Sequence, residues 1–163
     1  MTLTKDRFWK AVVAGVIATY VMTMTGFWQR GLGLPAVDVS AMLAGSMTAA
    51  HPDSPYTLVA GTLVHFANGV IIALIWVAFL LERVPGSWVV QGIAYGVLTT
   101  LAAVVIVVPL AAGVGVFFSN TPMPGTMLLA SSVMHLAYGL ALTLSLKIAG
   151  LDSRTARTVQ PSA

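Results

Sequence analysis

The sequence predicts an all-α polytopic membrane protein, a four-transmembrane-helix bundle built from two parallel two-helix repeats. Three observations predict it. The 163-residue chain is 58% hydrophobic and 8% charged, with a mean hydropathy of +0.91. A soluble domain carries roughly 25% charged residues. Four apolar segments, at approximately residues 10–29, 56–81, 88–110 and 125–147, each approach the ~20 residues that cross a bilayer as a helix. The second and fourth of these are one helix written twice. Laid over each other at an offset of 70, residues 57–76 and 127–146 share Leu58/Leu128, Ala60/Ala130, His65/His135, Ala67/Ala137, Gly69/Gly139 and Leu74/Leu144.

Taken in order, the first span is preceded by Lys5, Arg7 and Lys10, as a signal peptide would be. Phe27, Trp28, Gln29 and Arg30 follow it where small residues would mark a cleavage site, so the reading is an uncleaved span. The 36–50 segment after it carries Asp38 as an N-cap, then apolar Val39, Met42, Leu43 and Met47. That pattern predicts a short amphipathic helix on the outer surface, ended by His51-Pro52-Asp53-Ser54-Pro55. A short turn at 82–87 joins spans two and three. The apolar 111–124 loop is expected to dip into the membrane or pack over the bundle, and the polar 151–163 tail to be loosely ordered. The whole of 1–163 reads as one transmembrane domain. Spans one and three match more weakly, Val12-Val13-Ala14-Gly15 over Val89-Val90-Gln91-Gly92. The two repeats then enter the membrane in the same direction, related by an axis along its normal, and spans two and four face each other across the bundle diagonal.

Orientation follows from the cations. Lys5, Arg7, Lys10, Arg83, Lys147, Arg154 and Arg157 fall on one side of a four-span arrangement and Arg30 alone on the other. The positive-inside rule puts both termini in the cytoplasm. Trp9, Trp28, Tyr56 and Trp88 lie at span ends, as interfacial anchors do.

His65 and His135 are the candidate functional residues, because an imidazole within a span is costly and marks a site by default. Each lies nine or ten residues inside the outer end of its span, a depth of ~13–15 Å in a core of ~30 Å. Small residues stand one turn away on each side: Gly61 and Gly69 around His65, Ser131 and Gly139 around His135. Such a cleared strip suits a planar cofactor, and paired imidazoles on bundle helices are good axial ligands. The first expectation is therefore one b-type heme ligated by His65 and His135, serving electron transfer within a membrane complex. The pattern resembles membrane b-type cytochromes in its paired histidines with glycines nearby.

Two alternatives stand beside it. Small-xxx-small spacing also packs membrane helices closely. The histidines would then donate hydrogen bonds to a backbone carbonyl or to Ser/Thr on a neighbour. The protein would be a cofactor-free accessory subunit packing on other membrane subunits, or a homodimer. The other alternative is copper handling. Apart from Met1, the methionines (Met22, Met24, Met42, Met47, Met123, Met127, Met134) all fall in the outer half or the outer loops, with His51 among them. Thioether and imidazole both suit copper.

Other classes fit poorly. With no cysteine, thiolate metal sites, Cys nucleophiles and disulfides are out of play. The net charge of +3 sits in flanks and tails and offers no nucleic-acid surface. No carboxylate lies within a span, which leaves ion-coupled transport unsupported. No nucleophile–base set, H-E-x-x-H or phosphate loop marks an enzyme acting by itself. The Leu34-Pro35-Ala36-Val37-Asp38 segment after span one, with the repeated His-x-Ala-x-Gly helices, resembles small four-span bacterial membrane proteins of uncharacterised function. That resemblance implies the fold and no activity; the expected location is integral in the bacterial inner (cytoplasmic) membrane, with both termini inside.

Overall fold

The structure is a computed structural model that describes residues 3–47 and 54–151. All regular structure among these residues is helical, and four helical stretches are long and apolar enough to cross a membrane. The His51–Asp53 loop segment and the tail beyond Leu151 lie outside the described residues.

The first span is α1 (Lys5–Trp28), continued by a 3-10 turn (Gln29–Leu32). It begins five residues before the apolar run. The Thr4 hydroxyl accepts from the Arg7 amide, Asp6 sits in the first turn, and Lys10 pairs with Asp6 at 2.8 Å. Hydropathy does not register these polar starters, though they supply the N-cap and dipole complement a helix needs. The segment after the first span forms α2 (Val39–Met47), started by the Asp38 carboxylate accepting from the Ala41 amide at 2.9 Å. The second span is α3 (Pro55–Ile75), extended by a π-helical turn (Trp76–Leu80). The third is α4 (Trp88–Ala102), a second π-helical turn (Ala103–Val107) and α5 (Val108–Ala112). After a 3-10 turn (Val116–Phe118), α6 (Pro124–Ile148) forms the fourth. Pro55 and Pro124 open their helices where a missing N–H costs nothing.

The spans pack through small residues. A Cβ added at Gly96 would lie 2.8 Å from the Leu136 Cα, one at Gly92 2.9 Å from the Leu140 Cα, and one at Gly139 2.7 Å from the Gly96 nitrogen. Backbone therefore lies against backbone between α4 and α6. Gly15 meets α3 in the same way, a Cβ there falling 2.9 Å from that of Ala73. Ala11, Ala14 and Ala18 of α1 share a buried core with Met134, Tyr138, Leu142 and Leu146 of α6. With α1 against both α3 and α6, and α6 against α4, the helices stand in the order α3, α1, α6, α4.

The repeat predicts a fourth contact, α3 on α4, equivalent to α6 on α1. It is not formed: these two helices make at most marginal backbone contact. The reason is the side chains that meet there. Trp76 and Tyr95 stack with ring centroids 4.4 Å apart, and Tyr95 donates to the Ile72 carbonyl at 2.5 Å. Tyr138 reaches across from α6 to donate to the Gly69 carbonyl at 2.6 Å. Large rings fill one end of the interval and hold the helices apart. The other end is left open. At the closed end, Gln91 is buried, its amide donating to the Leu81 and Val84 carbonyls at 3.2 and 2.8 Å. Arg7 meets Glu82 at 2.8 Å there, tying the start of α1 to the end of the second span.

Gly139→Val should lower the unfolding free energy in detergent by about 1–3 kcal/mol, since the methyls enter backbone space. Gly125→Ala, where a Cβ meets nothing within 4 Å, should leave the melting temperature unchanged or slightly raised.

Candidate functional site

The open end of the α3–α4 interval is a cavity of about 160 Å³. Its walls come from all four spans, and α2 lies over it through Val39, Met42 and Leu43. The 111–124 loop packs over the same end and contributes Phe118, which is buried and adopts a left-handed φ of 59°. A non-glycine residue holds such a conformation only where its surroundings impose it. The sequence expectation that this loop packs over the bundle is met here. Both histidines line this cavity. They stand at one level along the helices, because the bond from Tyr138 to Gly69 ties positions one turn beyond each of them.

Their hydrogen bonds define what each ring offers. The His135 Nδ1 lies 2.8 Å from the Ser131 carbonyl, a group that only accepts, so Nδ1 carries the proton. The Ser131 hydroxyl lies 3.3 Å from the same nitrogen. Nε2 of His135 is thus an unprotonated nitrogen with a lone pair and no protein partner among the described residues. His65 differs. Its Nε2 lies 3.1 Å from the Thr23 hydroxyl oxygen, whose only hydrogen goes to the Thr19 carbonyl at 2.8 Å. Thr23 must accept, so His65 carries its proton on Nε2 and donates it. These are the hydrogen bonds that the packing alternative expects of both rings.

Most other polar groups in the spans are already engaged. Thr19, Thr99, Thr100 and Thr143 donate to carbonyls one turn back on their own helices. Gln91, Tyr95 and Tyr138 are bonded as described above. Exceptions are the Trp76 Nε1 and Gln29 Oε1, buried without a partner among the described residues, and Asn68. Asn68 lines the cavity, is exposed, and has no hydrogen-bond partner among the described residues.

The flanking small residues do not form the cleared strip read from their spacing. Gly61 is filled by the backbone of α2, where a Cβ would collide with the Ser40 carbonyl and the Ala44 nitrogen. Gly139 is filled by the Gly92 and Gly96 backbone, and Gly69 by the Thr19 side chain. Ser131 and Gly69 reach the cavity, whereas Gly61 and Gly139 do not line it. The same glycines are thereby used within the chain and not offered on an outer face. Four methionines, Met22, Met42, Met127 and Met134, line the cavity beside the histidines, while Met24 and Met123 do not. His51 lies outside the described residues. Among those residues no cluster of three or more His, Asp or Glu is present.

Sequence reasoning missed Asn68 and Tyr138 as cavity residues, although a signal was there. They occupy the same position of the repeat, three residues beyond each histidine and on the same helix face.

Four helices apolar and long enough to cross a membrane, around a side cavity lined by two histidines, are the features of a helical membrane protein with an internal cavity. The chain belongs to a family of unknown function, DUF6789, whose model matches residues 5–157. No curated protein and no solved structure matches it.

Nitrogen-detected NMR on histidine-labelled protein should report the Nδ1–H tautomer for one ring and the Nε2–H tautomer for the other. Thr23→Val should alter only the second. Two rings with the same tautomer would contradict the assignment.

Proposed function

We propose that this protein is a small integral membrane subunit, with both termini cytoplasmic, that holds a metal-centred cofactor in the outer half of the bilayer through His135 and His65. The observation that carries this reading is the convergence of the two repeat-related histidines on one cavity. His135 is the better prepared ligand. Its Nδ1–H is held by a backbone carbonyl and its Nε2 lone pair is free, the arrangement by which proteins orient a ligating imidazole. His65 would join through its unprotonated Nδ1 with Nε2–H kept on Thr23, or through Nε2 by leaving Thr23 at a cost of about one neutral hydrogen bond, ~1 kcal/mol.

A b-type heme passing electrons within a membrane complex is the fuller form of this reading. The cavity is close to the ~150 Å³ that takes one benzene ring, and a porphyrin is several times larger. Heme would therefore lie partly in the open interval between α3 and α4, its edge toward lipid. A bound copper ion is the second form, favoured by the four methionines on the cavity wall: thioether sulfur is a soft donor suited to Cu(I). A monovalent ion with neutral ligands also carries a lower desolvation cost than a divalent one.

Purified protein should show either a Soret band with reduced α and β bands or stoichiometric copper by elemental analysis. His135→Ala should remove that signal entirely and His65→Ala should weaken it at least ten-fold. A colourless, metal-free preparation that remains folded and takes up neither heme nor copper would reject the proposal in favour of a cofactor-free accessory subunit.

A further inference from the structure

Asn68 is the 14th of the 26 residues in the second span, so it stands near mid-depth. A carboxamide there is bound to a partner or is costly to leave bare, since lipid tails offer no hydrogen bond. Among the described residues it has no partner, and it is exposed at the cavity. It lines the cavity together with Ala102, Ala103 and Val107 of the third span, whose helix α4 makes at most marginal backbone contact with α3. Ile72, Ala102, Ala103 and Val107 make the wall there apolar. Both bordering spans carry a π-helical turn, Trp76–Leu80 below the opening and Ala103–Val107 along it. Such turns break the regular ladder and recur at functional sites.

We propose that the interval between α3 and α4 is a lateral portal for a lipid-soluble quinone, whose ring carbonyl accepts a hydrogen bond from the Asn68 carboxamide. Three features select this class. The space, about 160 Å³, matches a single six-membered ring by comparison with the ~150 Å³ benzene cavity. The wall around Asn68 is mostly apolar and Asn68 has no partner among the described residues, which suits a ring bearing a carbonyl and an apolar tail. Depth separates a quinone from a phospholipid, the other source of carbonyls. Ester carbonyls sit at the edge of the hydrocarbon core, ~15 Å from the midplane, whereas a quinone head moves freely through the interior. This inference does not rest on the metal reading, since it uses Asn68 and the opening rather than the imidazole nitrogens, and within this one space a quinone excludes the heme form of that reading.

The test uses full-length protein in lipid nanodiscs with Trp9, Trp28 and Trp88 replaced by Phe, leaving Trp76 as the fluorescent reporter below the portal. A short-tailed benzoquinone should quench it along a saturable curve. Asn68→Leu, similar in volume and better suited to lipid, should keep the thermal melt and raise the midpoint about ten-fold, the scale of one lost hydrogen bond. Ala102→Phe, which fills the opening from the opposite wall, should abolish saturation. Linear quenching, identical in all three proteins, would overturn the proposal. So would displacement of the quinone by a diacyl lipid with the same dependence on Asn68. A dimer of the parent protein that Asn68→Leu dissociates would assign the carboxamide to a contact between copies and likewise overturn it.

Discussion

The arrangement depends on one contrast in side-chain size. Where α1, α4 and α6 meet their neighbours, Gly15, Gly92, Gly96 and Gly139 let helices approach until backbones touch. Without water to drive apolar association, such close dispersion contact is what holds membrane helices together. Where α3 and α4 should meet, Trp76 and Tyr95 intervene with rings 4.4 Å apart. The same bundle is thus tight on three sides and wedged on the fourth. The cavity, the histidines' shared space and the exposure of Asn68 all follow from that wedge.

The wedge also fixes the polar chemistry. Tyr95 and Tyr138 place their hydroxyls on the carbonyls of Ile72 and Gly69, bonds that cross between spans and set their register. The threonines turn back onto their own helices. Among the described residues the groups left without a protein partner include the His135 Nε2 and the Asn68 carboxamide, both at the cavity, and the buried Trp76 Nε1 and Gln29 Oε1. A buried or lipid-facing polar group without a partner is expensive. Two of them at one cavity therefore speak for an occupant more strongly than a histidine pair alone.

Much of the fold was legible in the sequence because it rests on long apolar runs. The four spans, the helix after Asp38 and the loop over the bundle all appear close to their expected bounds. The misses have local causes. The first helix starts at Lys5 because Thr4, Asp6 and Lys10 complete it with polar contacts that hydropathy does not register. The repeat implied equal packing on both sides of its axis, and the pairing of Trp76 with Tyr95 broke that equality. Neither ring lies at the shared positions from which the repeat was read. The site was legible by halves. His65 and His135 do share a cavity, as their matched depth implied. Their flanking glycines were read as space, whereas a glycine in a membrane helix marks a place where another backbone comes to fill it. The tautomers could not be read at all, since they depend on Thr23 and on which oxygen of Ser131 comes nearest.

If Trp76 and Tyr95 wedge the bundle, α3 and α4 stand apart and the space between them is occupied in the membrane. A crystal structure from lipidic mesophase tests this most directly. The axes of α3 and α4 should be separated by more than the roughly 8–10 Å of packed helices, with non-protein density in the interval contacting Asn68 or the His135 Nε2. Axes at packing distance, with the interval closed and both groups bonded to protein, would contradict this.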